Sequence, residues 1–437
     1  MTFTSWQFGV FVAVVFGAYY LPQLRAFQIQ FLVVASLVFY GYGQPELLPL
    51  LAVAVFGTYL FLILALRNRA IWLPVGIAFN LALLAFFKYK FLFLDPAAPG
   101  LTGVAPIDSL LRLTLPVGIS FFVFHNISLL VDLTRQKSAP PALTSVFLYI
   151  IFFPQLVSGP ITRAEMFMPQ IKPKYLADIP FVEAAKWIVT GFFFKLYVAN
   201  NLNEMTSYMT FPLYETLQTQ DRWLLVFLYS YQIYADFFGY SAIAIGLALL
   251  FGYRLPVNFN LPYIATSFSE FWTRWHISLS TWLRTYLYVP LGGNRHGVFR
   301  TYLNLMIVMG LGGLWHGAGL GYLMWGLLHG LLLVRSGRCC RAFSRSNPGY
   351  FARPASVWSS CASRCCGFSS SCRISITPSA ISPACLRWAR TRTHQSCSTI
   401  LRCSIPCRSS SSIWFPARCS NGRCTAPIPI CTVRWQP

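Results

Sequence analysis

Three imidazoles in the last third of the apolar part of the chain, His276, His316 and His329, are the residues best suited to chemistry. A neutral imidazole, with an ordinary pKa of about 6.5, can take the proton of a hydroxyl as that hydroxyl attacks an activated carbonyl. The chain has no Gly-x-Ser-x-Gly elbow and no cysteine before Cys339, so a covalent serine or cysteine route has little support and direct transfer through a histidine base is simpler. His316 lies among Gly310, Gly312, Gly313, Gly317, Gly319 and Gly321, where close helix packing is the competing reading. His276 follows Arg274 and could instead hold a lipid phosphate, and His329 is flanked by Leu327, Leu328 and Gly330.

The remaining titratable groups are weaker candidates. His125, in Phe-Phe-Val-Phe-His-Asn, is an ionisable group inside an apolar run, either functional or satisfied by Asn126 or a backbone carbonyl. His296 follows Arg295 in a polar turn, and His394 lies in a tail of different composition. Asp236, between Ala235 and Phe237, either orients a histidine or pairs with Arg254 or Lys195, and Glu270 is the other acid to weigh. No metal site is expected: the cysteines at 361, 365, 366, 403 and 407 form no Cys-x-x-Cys pair.

The elements that must hold these groups are membrane helices. Of 437 residues 56% are hydrophobic and 11% charged, against about 25% charged in a soluble domain. Uncharged runs cover Gln7–Leu24, Gln28–Gln44, Leu47–Leu66, Ile71–Phe87, Leu113–Val131, Ser138–Thr162, Trp187–Phe194 and beyond Lys195, Trp223–Tyr253 around Asp236, and Thr301–Val334. With about 20 apolar residues per crossing they predict roughly nine to eleven crossings or re-entrant segments. As a single helix Thr301–Val334 would be about 50 Å long, beyond a core of roughly 30 Å, so a break is expected at its glycines, with His316 beside it. Phe268–Arg300, rich in Trp, Tyr and Arg, suits a helix in the headgroup layer that ends in the turn Leu291–Arg295.

Arg25 and the pair Arg67 and Arg69 fall in alternate loops, whereas the loop Tyr40–Glu46 has no Lys or Arg. The positive-inside rule then puts the N-terminus outside, with Lys88 and Lys90 on the less basic face as snorkelling exceptions.

The net charge of +22 is misleading as a sign of nucleic-acid binding. Residues 336–437 hold 14 of the 34 basic residues, all 13 cysteines and no acid, whereas every acidic residue lies at or before Glu270. The division is therefore a membrane-embedded core, 1–335, and an Arg/Ser/Cys-rich tail, 336–437, expected to be disordered and read as an out-of-frame translation product.

Several blocks in order resemble the membrane-bound O-acyltransferase family, in its bacterial alginate O-acetylation branch. They are Leu115-Pro-Val-Gly-Ile-Ser-Phe-Phe122, Phe153-Pro-Gln-Leu-Val-Ser-Gly-Pro-Ile161, Gln232-Ile-Tyr-Ala-Asp-Phe-Phe-Gly-Tyr-Ser241, Phe271-Trp-Thr-Arg-Trp-His-Ile-Ser-Leu-Ser-Thr-Trp-Leu-Arg284, Tyr288-Val-Pro-Leu-Gly-Gly-Asn-Arg295, Gly313-Leu-Trp-His-Gly-Ala318 and Trp325-Gly-Leu-Leu-His-Gly330. The resemblance covers residues 1 to about 335.

It implies an all-α polytopic bundle around a transmembrane tunnel, with interfacial and re-entrant helices. His316 would be the catalytic base and His276 the second motif histidine, with Arg274, Arg284, Asn294 and Arg295 on the donor. No tightly bound cofactor is implied; acetyl-CoA would be the donor co-substrate, and the acceptor an extracytoplasmic polysaccharide. The implied setting is a multi-pass protein of the bacterial inner membrane, with a periplasmic acetyltransferase partner and no nucleic acid. Family members carry further membrane helices after the Trp-Gly-Leu-Leu-His-Gly block, where this chain changes composition, so the core is expected to be C-terminally incomplete. The other readings are a transporter or channel for a lipid-linked or acyl substrate, with the broken segment as its central site, and an inactive truncated copy.

Overall fold

The computed structural model describes residues 1–90, 113–136 and 139–346, all helix and connecting loop. The helices are α1 (Trp6–Tyr19), α2 (Gln28–Gly41), α3 (Leu48–Arg67), α4 (Arg69–Tyr89), α5 (Ile119–Gln136), α6 (Leu143–Ile151), α7 (Phe153–Leu156), α8 (Ala164–Phe167), α9 (Phe181–Phe192), α10 (Asn200–Thr206), α11 (Thr219–Leu250), α12 (Phe268–Arg274), α13 (Ile277–Leu283), α14 (Gly297–His316) and α15 (Leu320–Ser346). The composition boundary after Arg335 falls within α15, and the tail beyond Ser346 lies outside the described residues.

Among the described residues, five helical stretches are long and apolar enough to cross a membrane: Pro22–Gly41, Pro45–Arg67, Arg69–Tyr89, Thr219–Leu250 and Gly297–His316. Other apolar runs are divided into shorter pieces. Ser138–Thr162 yields the nine-residue α6 and the single turn α7, with Pro154 in the first turn of α7 where its missing N–H costs no helical bond. Tyr149, Ile150, Ile151, Phe152 and Phe153 are all fully buried, so this run forms the centre of the protein. α5 passes beside it, with every residue from Phe122 to Thr134 buried.

The Trp/Arg-rich segment departs from a single headgroup helix. It is two short helices joined at His276, followed by the π-helical turn Arg284–Tyr288. The second helix is inside the protein: Trp282 is buried and donates from Nε1 to the Phe124 carbonyl (3.1 Å) and to Ser128 Oγ (2.9 Å), both on α5. Four residues on, the Tyr286 hydroxyl donates to the buried carboxylate of Asp132 (2.7 Å to Oδ1). Residue number rises together in the two partners, so α13 and α5 run side by side in one direction.

α14 and α15 form the expected broken hairpin. Met306 lies beside Gly330, and Gly313 beside Gly326, so the helices are antiparallel. A Cβ on Gly313 would stand 2.2 Å from the Tyr322 carbonyl oxygen and one on Gly326 2.2 Å from that of Met309, a backbone approach that only glycine permits. The C-terminal ends of α4 and α14 meet where the Tyr89 hydroxyl donates to the Leu314 carbonyl (2.9 Å).

These contacts sort the charges. The turn ending at Arg295 is at the hairpin base, with the end of α5 that carries Arg135, and Lys88 and Lys90 are at the hairpin tip. Neither lysine behaves as a loop charge. Lys90 is buried and donates to the Leu113 carbonyl (2.5 Å), whereas Lys88 folds over the Trp315 ring, 5.6 Å from its centre.

Candidate functional site

His316 is the last residue of α14 because Gly317 is extended (φ −162°, ψ 152°) and the chain turns before α15 begins at Leu320. Its neighbour Trp315 fixes that end of the helix. Phe124 is sandwiched between Trp282, stacked with ring centres 3.8 Å apart, and Trp315, stacked at 5.2 Å, so one column of rings ties α13, α5 and α14 together. On the other side Trp325, from α15, meets the His316 ring edge-on at 5.3 Å.

Two cavities meet at this imidazole. The narrower, about 470 Å³, runs along the hairpin toward its base between Ser280, Arg284, Tyr288, Leu305 and Leu333. The wider, about 1030 Å³, lies at the tip between Lys88, Phe237, Tyr263, His276 and His329. His316 and Trp325 line both, and His316 is exposed where they meet. It makes no hydrogen bond to a described residue, which leaves both ring nitrogens for reagents from either cavity.

His276 is buried in the wall of the wider cavity, in edge contact with Phe237 at 4.6 Å. Its backbone is left-handed (φ 42°), an unfavourable conformation for a residue with a Cβ, typically about 1–3 kcal/mol. A single loop segment, 258–260, holds it there by bonding the chain before and after it: Asn260 N donates to the Arg274 carbonyl (2.9 Å) and Ile277 N to that of Asn258 (2.9 Å). Buried Asn258 reinforces the clamp, accepting from Ser278 Oγ (2.6 Å) and donating to Ser241 Oγ (3.1 Å). The imidazole Nδ1 is buried with no hydrogen-bond partner among the described residues. His276 therefore combines a strained backbone, an unused polar atom and a second imidazole on the same cavity.

The four expected donor residues separate. Arg284 lines the narrower cavity and forms no ion pair among the described residues. Arg274 is engaged with Glu270 (2.9 Å) and the Asn260 carbonyl (3.1 Å). The Thr266 N–H and hydroxyl, both donating to Glu270, together with Arg274, hold the Glu270 carboxyl below its ordinary range. Glu270 and Arg274 therefore brace α12. Asn294 and Arg295 are exposed in the turn and line neither cavity.

Among the other candidates, His329 joins the wider cavity, tilted against Trp325 at 4.7 Å. His125 is fully buried and accepts at Nε2 from Thr162 N (3.3 Å), so it carries its proton on Nδ1, which has no hydrogen-bond partner of good geometry among the described residues. His296 is exposed, and His394 lies outside the described residues. Asp236 pairs with Lys195, one of its two structural alternatives, while Arg254 pairs with Glu183 (3.3 Å). Sequence reasoning gave no role to Trp325, Asn258 or the inward turn of Lys88, although Trp325 opens the Trp-Gly-Leu-Leu-His-Gly block and Lys88 is a charge closing an apolar run; Asn258 carried no signal.

Comparison with known proteins identifies the family. The model of the membrane-bound O-acyltransferase family matches residues 36–370. A Pseudomonas aeruginosa protein named probable alginate O-acetylase is 40% identical over 344 residues, 76% of this chain and 65% of its own length, so the chain spans about two thirds of that relative. A peptidoglycan O-acetyltransferase of Helicobacter pylori is 37% identical over 74% of the chain and 68% of its own length. A teichoic acid D-alanyltransferase of Bacillus subtilis is 30% identical over 61% of the chain and 69% of its own length. The chain is a multi-pass membrane protein and belongs to the membrane-bound O-acyltransferase family.

Proposed function

We propose that the protein moves an acetyl group from a thioester donor in the narrower cavity to a hydroxyl in the wider one, with His316 as general base. The supporting observation is that His316, free of hydrogen bonds to described residues, lines both cavities. As the acceptor oxygen attacks the thioester carbonyl, one ring nitrogen takes its proton. The tetrahedral adduct then collapses with cleavage of the carbon–sulfur bond, and the imidazolium returns the proton to the departing thiolate. The products are an ester and a free thiol, and the imidazole is regenerated. His276, fixed on the acceptor side, is placed to orient the hydroxyl or the adduct, and Arg284 to meet the phosphates of acetyl-CoA.

The positive-inside rule makes the arginine-bearing hairpin base cytoplasmic, so the donor enters from the cytoplasm and the acceptor from outside. Relatives named for alginate and peptidoglycan support an extracytoplasmic polysaccharide as final acceptor, reached directly or through a periplasmic acetyltransferase partner at a bacterial inner membrane.

The test is reconstitution of the full chain in liposomes with labelled acetyl-CoA, following thiol release and ester formation. Loss of both in His316→Ala, with folding intact, is expected. Equal ester formation without this imidazole would remove it from the mechanism, and substrate movement with no ester would mean transport.

A further inference from the structure

We propose that Lys88 is an anion anchor for the acceptor: the wider cavity takes a hydroxyl compound bearing a carboxylate or phosphate, held by Lys88 while the hydroxyl reaches His316. The proposal rests on the acyl-transfer reading of that cavity and names its substrate class. Lys88 and Lys90 stand two residues apart at the end of α4 and are treated differently. Lys90 is buried, with the Leu113 carbonyl as acceptor and the Phe86 and Phe87 rings within 5.4 Å and 4.8 Å of Nζ. Lys88 has no carbonyl or carboxylate partner among the described residues. A lysine that merely snorkels extends past the helix end into the headgroups. Lys88 instead folds back over Trp315, the residue beside His316, and lines the cavity that His316 shares.

The rest of that lining sharpens the selectivity. Among the described residues it contains no Asp or Glu, and Lys88 is its only Lys or Arg. The hydroxyls of Ser120, Ser230, Tyr263 and Tyr322 are polar groups of the described lining besides the histidines, and Trp275, Trp315 and Trp325 supply aromatic faces. An ammonium in so apolar a space, balanced only by one ring face, leaves most of its electrostatic demand unmet. An anionic acceptor answers that demand and is positioned by it, whereas a neutral acceptor of the same size is not.

The experiment uses the full chain in liposomes, with acetyl-CoA on the Arg284 side. The acceptors are an oligouronate, a glycerol-phosphate oligomer and a neutral glucan of equal length, and thioester hydrolysis without acceptor is followed in parallel. Lys88→Met is expected to raise KM at least about tenfold for the anionic acceptors, with kcat, neutral-acceptor turnover and hydrolysis within twofold, and Lys88→Arg to restore KM. Preference for the uronate or for the phosphate oligomer identifies which anion is the natural one.

Equal effects on all three acceptors, or none on any, overturn the anchor. A common fall in kcat that includes hydrolysis also overturns it, because Lys88 would then act on the reacting carbonyl. If the wild type turns over neither acceptor nor water, the acyl-transfer reading fails instead. Oligouronate binding, read from tryptophan fluorescence, then decides the anchor alone: weaker binding by Lys88→Met and Lys88→Gln supports it, and unchanged binding rejects it.

Discussion

His125 and His316 are both carried on long, largely apolar helices, and the protein uses them in opposite ways. His125 sits within α5, fully buried, its Nε2 occupied by the Thr162 N–H and its ring against Tyr149 at 5.4 Å. His316 ends α14 at a glycine break, where two cavities share it. The first imidazole is a structural cross-link between α5 and the loop before α8. The second has access from two directions, and access rather than residue type separates them. An open nitrogen alone does not separate them, since His125 Nδ1 is also buried without a hydrogen-bond partner among the described residues; the ligand-sized space beside His316 does.

Substitution at the two positions should therefore split activity from stability. His316→Ala is expected to lower acetyl transfer about 10³-fold, within the range for loss of a general base, while thermal unfolding in detergent stays within a few degrees of wild type. His125→Ala is expected to do the reverse. It empties a fully buried site and strands the Thr162 N–H, a loss of about 2–4 kcal/mol that shows as a lower unfolding temperature, with the activity of the folded fraction retained. A stable His125→Ala without activity would erase the distinction.

The glycine contact supplies a third comparison, because it shapes the accessible site through backbone rather than side chain. Gly326→Ala places a methyl 2.2 Å from the Met309 carbonyl and must push α15 away from α14. Overpacking of this kind costs about 1–3 kcal/mol, and here it would also misplace Trp325, one wall of both cavities. Both stability and turnover should fall, unlike either histidine variant. Gly17→Ala, outside both cavities and where a Cβ meets nothing within 4 Å, should change neither.

These two regions also differ in how much the sequence reveals of them. The break in Thr301–Val334 was legible because its length exceeds one crossing and its glycines cluster around His316. The all-helical membrane fold was legible for the same reason, since composition and run length report directly on solvent. The burial of Trp282 and its helix was not, because Trp and Arg together suit a headgroup as well as an interior lined by α5. The role of Asn258 was equally hidden: it clamps His276 across 18 residues of chain, and nothing in Val-Asn-Phe-Asn marks it. Charge signs were readable but their partners were not, which is why Arg274, Arg284, Asn294 and Arg295 looked equivalent until the cavities set Arg284 apart.

That difference among the arginines gives the smallest and most selective effect. Arg284 faces the narrower cavity from a π-helical turn anchored two residues later by Tyr286 on Asp132, so its backbone is fixed while its guanidinium stays free. Arg284→Ala should raise KM for acetyl-CoA about tenfold, equivalent to about 1.4 kcal/mol, and leave kcat and the unfolding temperature nearly unchanged. Arg295→Ala, at an exposed position outside both cavities, should leave the same KM unaltered. If the two variants raised KM alike, donor recognition would depend on the general positive charge of the hairpin base. A tenfold gap between them would assign it to the one guanidinium that shares a cavity with His316.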